Sequence, residues 1–380
     1  MENSNMDNYP VLEYYSMMAR KKRMPFSGTF ELTPKCNMNC KMCYIRMNDE
    51  EMKKVGTQLS IDEWLSIAKE ASENGMTEVL LTGGEAVLYK DFKKLYLELR
   101  KLGLFIAINT NGTTLTDDLI DFFKSYPPTK INITIYGASN DTYTKLCNNP
   151  KGFDQVCHAI RKLKENHINI EIHCCLTKEN SFDIKNIFEF VNKNDLKIEA
   201  TSYNFPAIRK EWKKEIVASR MNEKEAAKTR LLINWYSKNK DEFITYLDST
   251  ISNVENFVKP DLSNLIGSRV LCGAGRSGFW ITWDGRMLGC GMDPSFSVNV
   301  KDGFLSSWRK IVKHTDNILL DAQCECCKYK KICQPCAAKL KSESGFYNKK
   351  GEYLCKYSEE YYLLLKEAKK YISIENNIKE

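Results

Sequence analysis

Three cysteines near the start of the chain are spaced as ligands of a metal cluster. Cys36, Cys40 and Cys43 are separated by three and two residues and follow a short apolar segment. Zinc sites usually present four protein ligands, most often as paired C-x2-C motifs. Three thiolates on one loop would instead leave one iron of a [4Fe–4S] cluster free to bind a substrate or cofactor. A chance trio of cysteines, or half of a zinc site, is the alternative.

A second group of cysteines occupies the last third of the chain. Residues 280–286 read Trp-Ile-Thr-Trp-Asp-Gly-Arg, and the Asp-Gly pair predicts a β-hairpin that brings Cys272 close to Cys290. C-x2-C pairs follow, and such pairs alone favour zinc. The N-terminal trio favours iron–sulfur chemistry instead. The later cysteines are Cys324, Cys326, Cys327, Cys333, Cys336 and Cys355.

Strand and helix signals alternate between residues 28 and 205. Apolar runs predict six strands, and helical periodicity fills the intervals between them. One helix begins with a capping box at Ser60 and Glu63 and ends near Gly75. Six β–α units predict parallel strands covered by helices, with an open doubly wound sheet as the alternative. The predicted strands are 28–32, 77–82, 104–109, 130–136, 168–177 and 196–203, and the other predicted helices are 91–101, 117–125, 153–166 and 182–192.

Several of these strands are apolar on one face only. Apolar and polar residues alternate in segments 131–136 and 170–177, whereas strands covered on both faces should be apolar throughout. The polar face is therefore predicted to line a cavity, as in a barrel whose lumen holds a ligand; a sheet with one wet face is the alternative. The candidate lumen residues are Glu31, Asn109, Thr134, Tyr136, Glu171, His173, Cys175, Glu199 and Tyr203, of which Cys175, Tyr136 and His173 are the candidate catalytic residues.

Composition limits the class of protein. The 380 residues include 15 cysteines but only four histidines, and the formal net charge is +7. A hydrophobic content of 43% and a mean hydropathy of −0.45 exclude disorder and a polytopic membrane protein. Because the chain lacks the features of a signal peptide, we predict a cytoplasmic location. Thiols stay reduced there, so this many cysteines indicate metal binding.

The motifs together resemble radical S-adenosylmethionine (SAM) enzymes. The loop Cys36–Cys43 resembles the family signature, in which the iron without a protein ligand chelates SAM. The resemblance implies a partial (β/α)6 barrel and reductive cleavage of SAM to a 5′-deoxyadenosyl radical. Thr82-Gly83-Gly84-Glu85 looks like the family's motif for the SAM amino group, because two glycines let the backbone approach a ligand closely.

The resemblance implies further cofactor contacts by position. Thr134, followed by Gly137, resembles the fourth-strand motif that meets the SAM ribose, although Tyr136 stands where Asp is usual. The Arg that often binds the SAM carboxylate would fall near Cys147, and Lys145 is the candidate substitute. The candidate cofactor-binding residues are Met42, Tyr44, Gly83, Gly84, Glu85, Asn109 and Thr134, with Arg209 as a weaker anion contact.

The C-terminal cysteines resemble the SPASM extension of these enzymes, a small α+β domain with two auxiliary [4Fe–4S] clusters. By position, one cluster would use Cys324, Cys327, Cys333 and Cys355, and the other would use Cys272, Cys290 and Cys336. Three cysteines leave an open iron that could bind a substrate thiolate, unless Cys326 closes the site. Two features depart from the family: Cys326 is additional, and only two residues separate Cys333 from Cys336.

The resemblance also implies a class of substrate. Radical SAM enzymes with SPASM extensions mostly modify peptides, including ribosomally synthesised peptide natural products (RiPPs). We therefore expect hydrogen abstraction from a peptide residue, followed by thioether or C–C crosslinking. Epimerisation with Cys175 as hydrogen donor, action on a small molecule, and sulfatase maturation are alternatives; the last lacks its usual Asp because Gly291 follows Cys290. A non-catalytic iron–sulfur or zinc module is the rival from another class.

Domains and partners complete these expectations. About 25 residues precede the barrel, too few for a fused leader-peptide domain, so leader recognition would need another surface or a separate leader-binding protein. The expected partners are a peptide substrate and a flavodoxin- or ferredoxin-like reductant, without nucleic acid or membrane. The expected domains are an N-terminal extension (1–27), the barrel (28–205), a helical bridge (206–266), the SPASM domain (267–357) and a C-terminal helix (358–380) capped by Ser358.

Overall fold

The computed structural model describes residues 10–209, 214–259 and 267–379, which divide into two units. The first unit comprises Met1–Lys35, Met47–Asn109 and Val270–Asn317, and the second comprises Cys36–Arg46, Thr110–Arg269 and Ile318–Glu380. Among the described residues, no helix combines the length and the apolar composition that crossing a bilayer requires.

Helices and strands alternate through most of the chain. The strands are β1 (Ser27–Glu31), β2 (Glu78–Thr82), β3 (Phe105–Thr110), β4 (Lys130–Thr134), β5 (Ile170–Cys175), β6 (Ile198–Thr201), β7 (Gly278–Ile281), β8 (Arg286–Leu288) and β9 (Val298–Asn299). The helices are α1 (Pro10–Lys22), α2 (Asp49–Val55), α3 (Ile61–Glu73), α4 (Phe92–Lys101), α5 (Asp117–Ser125), α6 (Asn140–Cys147), α7 (Gly152–Glu165), α8 (Ile184–Lys193), α9 (Lys214–Ser219), α10 (Glu223–Tyr236), α11 (Lys240–Glu255), α12 (Phe304–Asp316), α13 (Ala322–Glu325), α14 (Lys330–Cys333), α15 (Ala337–Ser344) and α16 (Glu352–Lys379).

In the first unit, β1 is the central strand of a mixed sheet. It pairs in parallel with β2 on one side and with β7 on the other, and β2 pairs in parallel with β3. The predicted hairpin is confirmed: β7 and β8 are antiparallel. Gly285 in its turn has φ +86°, a conformation that glycine adopts at little cost. Phe30 of β1 stacks on Trp64 of α3, with 4.8 Å between the ring centroids.

In the second unit, β4, β5 and β6 form a parallel sheet. The predicted alternation is confirmed on β5, where Ile172 and Cys174 are buried. Glu171, His173 and Cys175 on its other face are partly exposed. Helix α7 packs on β5, so the apolar face is the one covered by helices. Together, the mostly parallel strands and their helices confirm the α/β class.

The helix starts follow from their capping residues. Ser60 accepts a hydrogen bond from the backbone of Glu63, whose carboxylate accepts one in return from the backbone of Ser60. This capping box confirms the predicted start of α3. The same reciprocal arrangement begins α10 at Asn222 and α11 at Asn239. Each box satisfies amide groups that the first helical turn leaves without partners.

Several sequence expectations on elements are wrong. Helices α1, α2 and α6 were not predicted, and three strands are shorter than expected, since β4 ends at Thr134, β5 at Cys175 and β6 at Thr201. Ser358 does not cap the terminal helix, because α16 already begins at Glu352. Its hydroxyl donates instead to the Leu354 carbonyl at 2.7 Å, a bond that serine makes inside helices. Residues 210–213 and 260–266 of the predicted bridge lie outside the described residues.

Two glycines after β2 pack against the chain that follows β1. The Gly84 amide donates to the Thr33 carbonyl at 2.7 Å, and the Glu85 amide donates to the Lys35 carbonyl at 2.8 Å. A Cβ atom at Gly84 would lie 2.5 Å from the Lys35 oxygen, and one at Gly83 would lie 2.4 Å from the Thr33 oxygen. The two glycines therefore allow a close approach to the backbone directly before Cys36, and their predicted approach to a ligand stays a prediction.

A buried ion pair joins two segments of the second unit. Arg220 pairs with Glu343, and their side chains are 15% and 6% exposed. The Tyr203 hydroxyl donates to the same carboxylate at 2.7 Å, and the Arg220 guanidinium lies 3.8 Å from the centre of the Tyr353 ring. Burial raises the pKa of Tyr203, and the neighbouring Glu343 raises it further. Tyr203, predicted to line the lumen, is thus a partner in this network.

Arg220→Ala should destabilise the second unit by about 3 kcal/mol, because it leaves the Glu343 carboxylate buried without its cation. Lys185→Ala is the matched control: its pair with Glu189 is 65% and 63% exposed and is worth about 0.5 kcal/mol or less. Urea unfolding followed by circular dichroism measures both. Equal unfolding midpoints for the two variants would contradict the expectation.

Gly84→Ala should destabilise the first unit by about 1–3 kcal/mol, because its methyl group would overlap two carbonyl oxygens. Gly278→Ala is the control, since the nearest atom to its new Cβ, the Gly273 oxygen, is 3.5 Å away. We expect a lower urea midpoint for Gly84→Ala only. A Gly84→Ala protein as stable as the control would show that the backbone here moves apart at little cost.

Candidate metal centre and cofactor site

The C-x3-C-x2-C loop is held in place by the end of helix α6. The Asn39 amide donates to the Cys147 carbonyl, and the Lys41 amide donates to the Leu146 carbonyl, each at 3.0 Å. Met38 anchors the loop as a buried side chain, 2% exposed. All three loop cysteines are free thiols and partly exposed. The loop therefore keeps its thiols accessible while its backbone is fixed.

Asn111 supports the Cys36 end of the loop. Its side-chain amide lies 3.7 Å from the Cys36 sulfur and donates to the Asn37 side-chain oxygen at 2.9 Å. Asn37 in turn donates to the Thr113 hydroxyl at 2.8 Å. Sequence reasoning missed Asn111. Its signal was its position directly after β3, since ligands in α/β folds bind beyond the carboxyl ends of the strands.

Cys147 and Tyr136 lie against Cys40. A hydrogen bond with Cys147 lowers the pKa of the Cys40 thiol against the opposing effect of burial, and a second one with Tyr136 lowers it further. Burial raises the pKa of Cys147 and of Tyr136, and the nearby thiols of Cys36 and Cys43 raise both further. Cys147 has no exposed surface. The spacing of Cys147 suggested no role, because only the fold brings it to the loop.

A cavity of about 160 Å³ adjoins the loop. Arg46 follows the third cysteine closely, and its backbone amide donates to the Cys43 sulfur at 3.2 Å. Lys41 forms an ion pair with Glu179 at 3.8 Å. Lys41 and Arg46 thus place two cations beside the cavity, offset by Glu215 in its lining and by Glu179, and a nearby cation favours thiolates and other anions. The residues that line it are Asn39, Cys40, Lys41, Cys43, Arg46 and Glu215.

This donor set fits a [4Fe–4S] cluster. Three free thiols come from one loop, two of them line the cavity, and cationic side chains lie beside it. Thiolates are the ligands of such clusters, and three of them leave one iron open. Cys36, Cys40 and Cys43 are the residues that would hold the cluster, and Asn111, Tyr136 and Cys147 surround them.

The other predicted cofactor residues occupy separate environments. The guanidinium of Arg209 lies 5.6 Å from the centre of the Tyr44 ring. Lys145 lies on the exposed face of α6, and its ammonium group is 5.6 Å from the centre of the Phe182 ring. Thr134 ends β4 opposite His173 of β5 and is partly exposed. Glu85 is buried, and Met42 and Asn109 are partly exposed.

The predicted lumen residues of β5 and β6 form a polar group. Glu171 pairs with Lys130 at 2.6 Å, and His173 lies 3.9 Å from Glu199. Among the described residues, Glu171, His173 and Glu199 are the set whose ligand atoms all lie within 4.8 Å of one another, as a single metal ion requires. Burial, together with the charge of Glu199, raises the pKa of the Cys175 thiol to about 11. Cys175 is therefore a neutral thiol beside this group.

Glu31 was expected to line an open lumen, but its side chain is buried. Its side chain is 1% exposed, and its carboxylate accepts a hydrogen bond from the indole of Trp280 at 2.9 Å. Both residues belong to the first unit, where β1 and β7 are paired. The polar face of β1 thus serves the packing of the hairpin strand. Alternation alone could not reveal this partner.

Four C-terminal cysteines come together in the second unit. Burial, together with Asp321 and the thiols of Cys333, Cys355 and Cys327, raises the pKa of the Cys324 thiol to about 12. Burial likewise raises the pKa of Cys333, which the thiols of Cys355 and Cys327 also raise. These are the four residues that the SPASM resemblance assigned to one cluster. Cys326 has a different partner, since its thiol donates to the Gln323 carbonyl at 3.4 Å.

The segments that contain Cys272 and Cys290 meet within the first unit. A Cβ at Gly289 would lie 3.4 Å from the Cα of Gly275, so the residue before Cys290 touches the turn after Cys272. Cys272 is exposed and Cys290 partly exposed. Cys336, the third residue assigned with them, belongs to the second unit. The ligand set of this cluster remains a prediction.

Known proteins share this fold and these motifs. Residues 30–191 match the radical SAM superfamily. SkfB, the sporulation killing factor maturation protein of Bacillus subtilis (strain 168), is 27% identical over 166 residues, which are 44% of this chain and 39% of SkfB. The match thus spans less than half of that relative.

Two other proteins match most of the chain. The AdoMet-dependent heme synthase of Methanosarcina barkeri (strain Fusaro / DSM 804) is 23% identical over 336 residues, 84% of this chain and 93% of the synthase. Streptococcus suis SuiB, solved bound to the precursor peptide SuiA, aligns with a TM-score of 0.67 at 16% identity and covers 93% of this chain and 83% of SuiB. Residues 30–191 therefore match the radical SAM superfamily, the chain shares the fold of SuiB, and a cysteine-rich region occupies the last third of the chain.

Proposed function

We propose that this protein is a radical SAM enzyme that abstracts hydrogen from a residue of a ribosomally synthesised peptide and forms a thioether, or a C–C crosslink, in it. The observation that carries the proposal is that one short loop presents three partly exposed cysteines beside a cavity, which two of them line together with Lys41 and Arg46. That loop lies within the segment that matches the superfamily. When bound, the cluster and SAM supply a 5′-deoxyadenosyl radical.

The chain's own residues position and protect this chemistry. Cys36, Cys40 and Cys43 hold three irons, while the backbone bonds from Asn39 and Lys41 to α6 fix the loop. The hydrogen bonds that Cys40 receives favour its thiolate form, which is the ligand form of cysteine. Thr134 and the segment Gly83–Glu85 are the proposed contacts for the rest of SAM.

A crosslink of this kind also needs an acceptor for one electron. Joining a carbon to a cysteine sulfur breaks one C–H and one S–H bond and forms one C–S bond. The carbon loses a hydrogen atom, the thiol loses a proton, and one electron must leave. We propose that Cys324, Cys327, Cys333 and Cys355 hold one auxiliary [4Fe–4S] cluster and that Cys272, Cys290 and Cys336 hold another with an open iron. These clusters supply the electron acceptor and the binding position for the substrate thiolate.

Two relatives support a peptide substrate. SkfB is named for maturation of the sporulation killing factor, and SuiB has been solved with a precursor peptide bound. A flavodoxin- or ferredoxin-like protein is the proposed reductant, and a separate leader-binding protein is the proposed aid to recognition. Within this class, the partly exposed thiol of Cys175 supports epimerisation as the second reaction, because a neutral thiol can return a hydrogen atom.

A small-molecule substrate is the second candidate function. The observation in its favour is the match to the heme synthase, which extends over 84% of this chain. A peptide enzyme and a small-molecule enzyme would share SAM cleavage, so that assay cannot separate them. Mass spectrometry of a co-expressed cysteine-containing precursor peptide separates them. Thioether formation removes two hydrogens from the peptide, epimerisation in D2O adds one deuterium in place of hydrogen, and an unmodified peptide would contradict the peptide assignment.

Cys36→Ala should abolish formation of 5′-deoxyadenosine after anaerobic reconstitution with iron, sulfide, dithionite and SAM, because it removes one of three ligands of the SAM-binding cluster. Cys290→Ala should leave that product largely intact and lower the iron content. Cys157→Ala is the control for loss of a cysteine from helix α7, outside every proposed ligand set. Retained cleavage by Cys36→Ala, or a wild-type protein that binds only zinc, would overturn the assignment.

A further inference from the structure

Among the described residues, Arg46 is a cation of the cluster loop without an anionic partner. Its side chain lines the same cavity as Cys40 and Cys43. Its Nε atom is buried and has no hydrogen-bond partner. Glu215 lines this cavity too, but no ion pair joins it to Arg46 within the described residues. A buried guanidinium nitrogen without a partner is costly, so this position calls for an acceptor that a ligand would bring.

The other cations near the loop are already engaged. Lys41 pairs with Glu179 at 3.8 Å. Arg209 lies over the ring of Tyr44 at 5.6 Å, and Lys145, the sequence-based candidate for the SAM carboxylate, lies over the ring of Phe182. The position at which the family often places an arginine falls near Cys147, which is buried beside Cys40. Among the described residues, Arg46 is thus the cation at the loop that has a buried donor without an acceptor.

We infer that the guanidinium of Arg46 binds the α-carboxylate of SAM. The inference rests on the proposed function, since it presumes that SAM binds at the cysteine loop. A guanidinium presents N–H donors in a planar fork that matches the two oxygens of a carboxylate. The Arg46 backbone is bonded to the Cys43 sulfur at 3.2 Å, so the same short segment would hold both the cluster and the amino acid end of the cofactor.

A binding experiment on the reconstituted protein tests this assignment. Equilibrium dialysis without reductant measures the Kd of SAM and of decarboxylated SAM, which lacks only the α-carboxylate. Arg46→Gln should weaken SAM binding about 10- to 100-fold, the range for a hydrogen-bonded charge. Arg46→Gln should bind decarboxylated SAM with a Kd within about twofold of the wild-type value, because that ligand has no carboxylate for Arg46 to bind. The SAM affinity of Arg46→Lys should lie between those of the wild type and Arg46→Gln, since lysine keeps the positive charge but lacks the planar pair of N–H donors.

Arg161→Gln is the matched control, because Arg161 is an exposed arginine of α7 that contacts His158. Its SAM affinity should equal that of the wild type. Equal SAM affinity in Arg46→Gln and wild type, or the same loss for both ligands, would overturn the inference. The second result would mean that Arg46 acts on the cluster and not on the carboxylate.

Failure of the proposed function would look different. A wild-type protein that loads iron but binds no SAM would refute both ideas at once. A wild-type protein that binds and cleaves SAM, together with an unaffected Arg46→Gln variant, would refute only the role of Arg46. Iron content and the visible spectrum of each variant establish that the cluster is loaded. If Arg46→Gln fails to load it, the comparison of the two ligands is made with Arg46→Lys, where a loss confined to SAM supports the inference and an equal loss refutes it.

Discussion

The candidate site depends on two backbone hydrogen bonds between the cysteine loop and the end of helix α6. Asn39 and Lys41 donate to the carbonyls of Cys147 and Leu146, which are among the last carbonyls of a helix and have no partner inside it. These two hydrogen bonds thus satisfy amide groups of the loop and terminal carbonyl groups of the helix. It fixes the loop without using any side chain that could serve as a ligand. Three thiols can then converge on one cluster at a small entropic cost, because the backbone between them is already ordered.

Charge around the loop follows from this anchoring. Bringing the helix end to Cys40 also brings the buried thiol of Cys147 and the hydroxyl of Tyr136, and both hydrogen-bond to Cys40 and lower its pKa. Arg46 adds a positive charge on the cavity side. Burial opposes thiolates, whereas hydrogen bonds and cations favour them. The site combines both effects, so its partly exposed thiols are suited to bind metal.

The C-terminal part of the second unit uses a different means to gather thiols. Cys355 is on α16, while Cys324, Cys327 and Cys333 are on or beside the short helices α13 and α14. Helix α16 packs along α10, where the guanidinium of Arg230 lies 4.3 Å from the centre of the Tyr361 ring. Aromatic and cationic contacts thus hold the long helix α16 in place. This helix brings Cys355 to the short helices α13 and α14, which cannot form a hydrophobic core of their own. The buried pair of Arg220 and Glu343 adds to the same packing.

The sequence by itself determined the α/β class, the hairpin, the capping box of Ser60 and the cysteines with chemical potential, because these depend on local spacing and periodicity. The four-cysteine set Cys324, Cys327, Cys333 and Cys355 was assigned by the resemblance to the SPASM extension. Tertiary structure alone decided that Asn111 and Cys147 lie against the loop, that Glu31 bonds Trp280, and that Tyr203 joins a buried ion pair. Those residues come together through packing between segments that are distant in the sequence. The residue spacing and the polar–apolar alternation within one segment do not predict which other segment will pack against it.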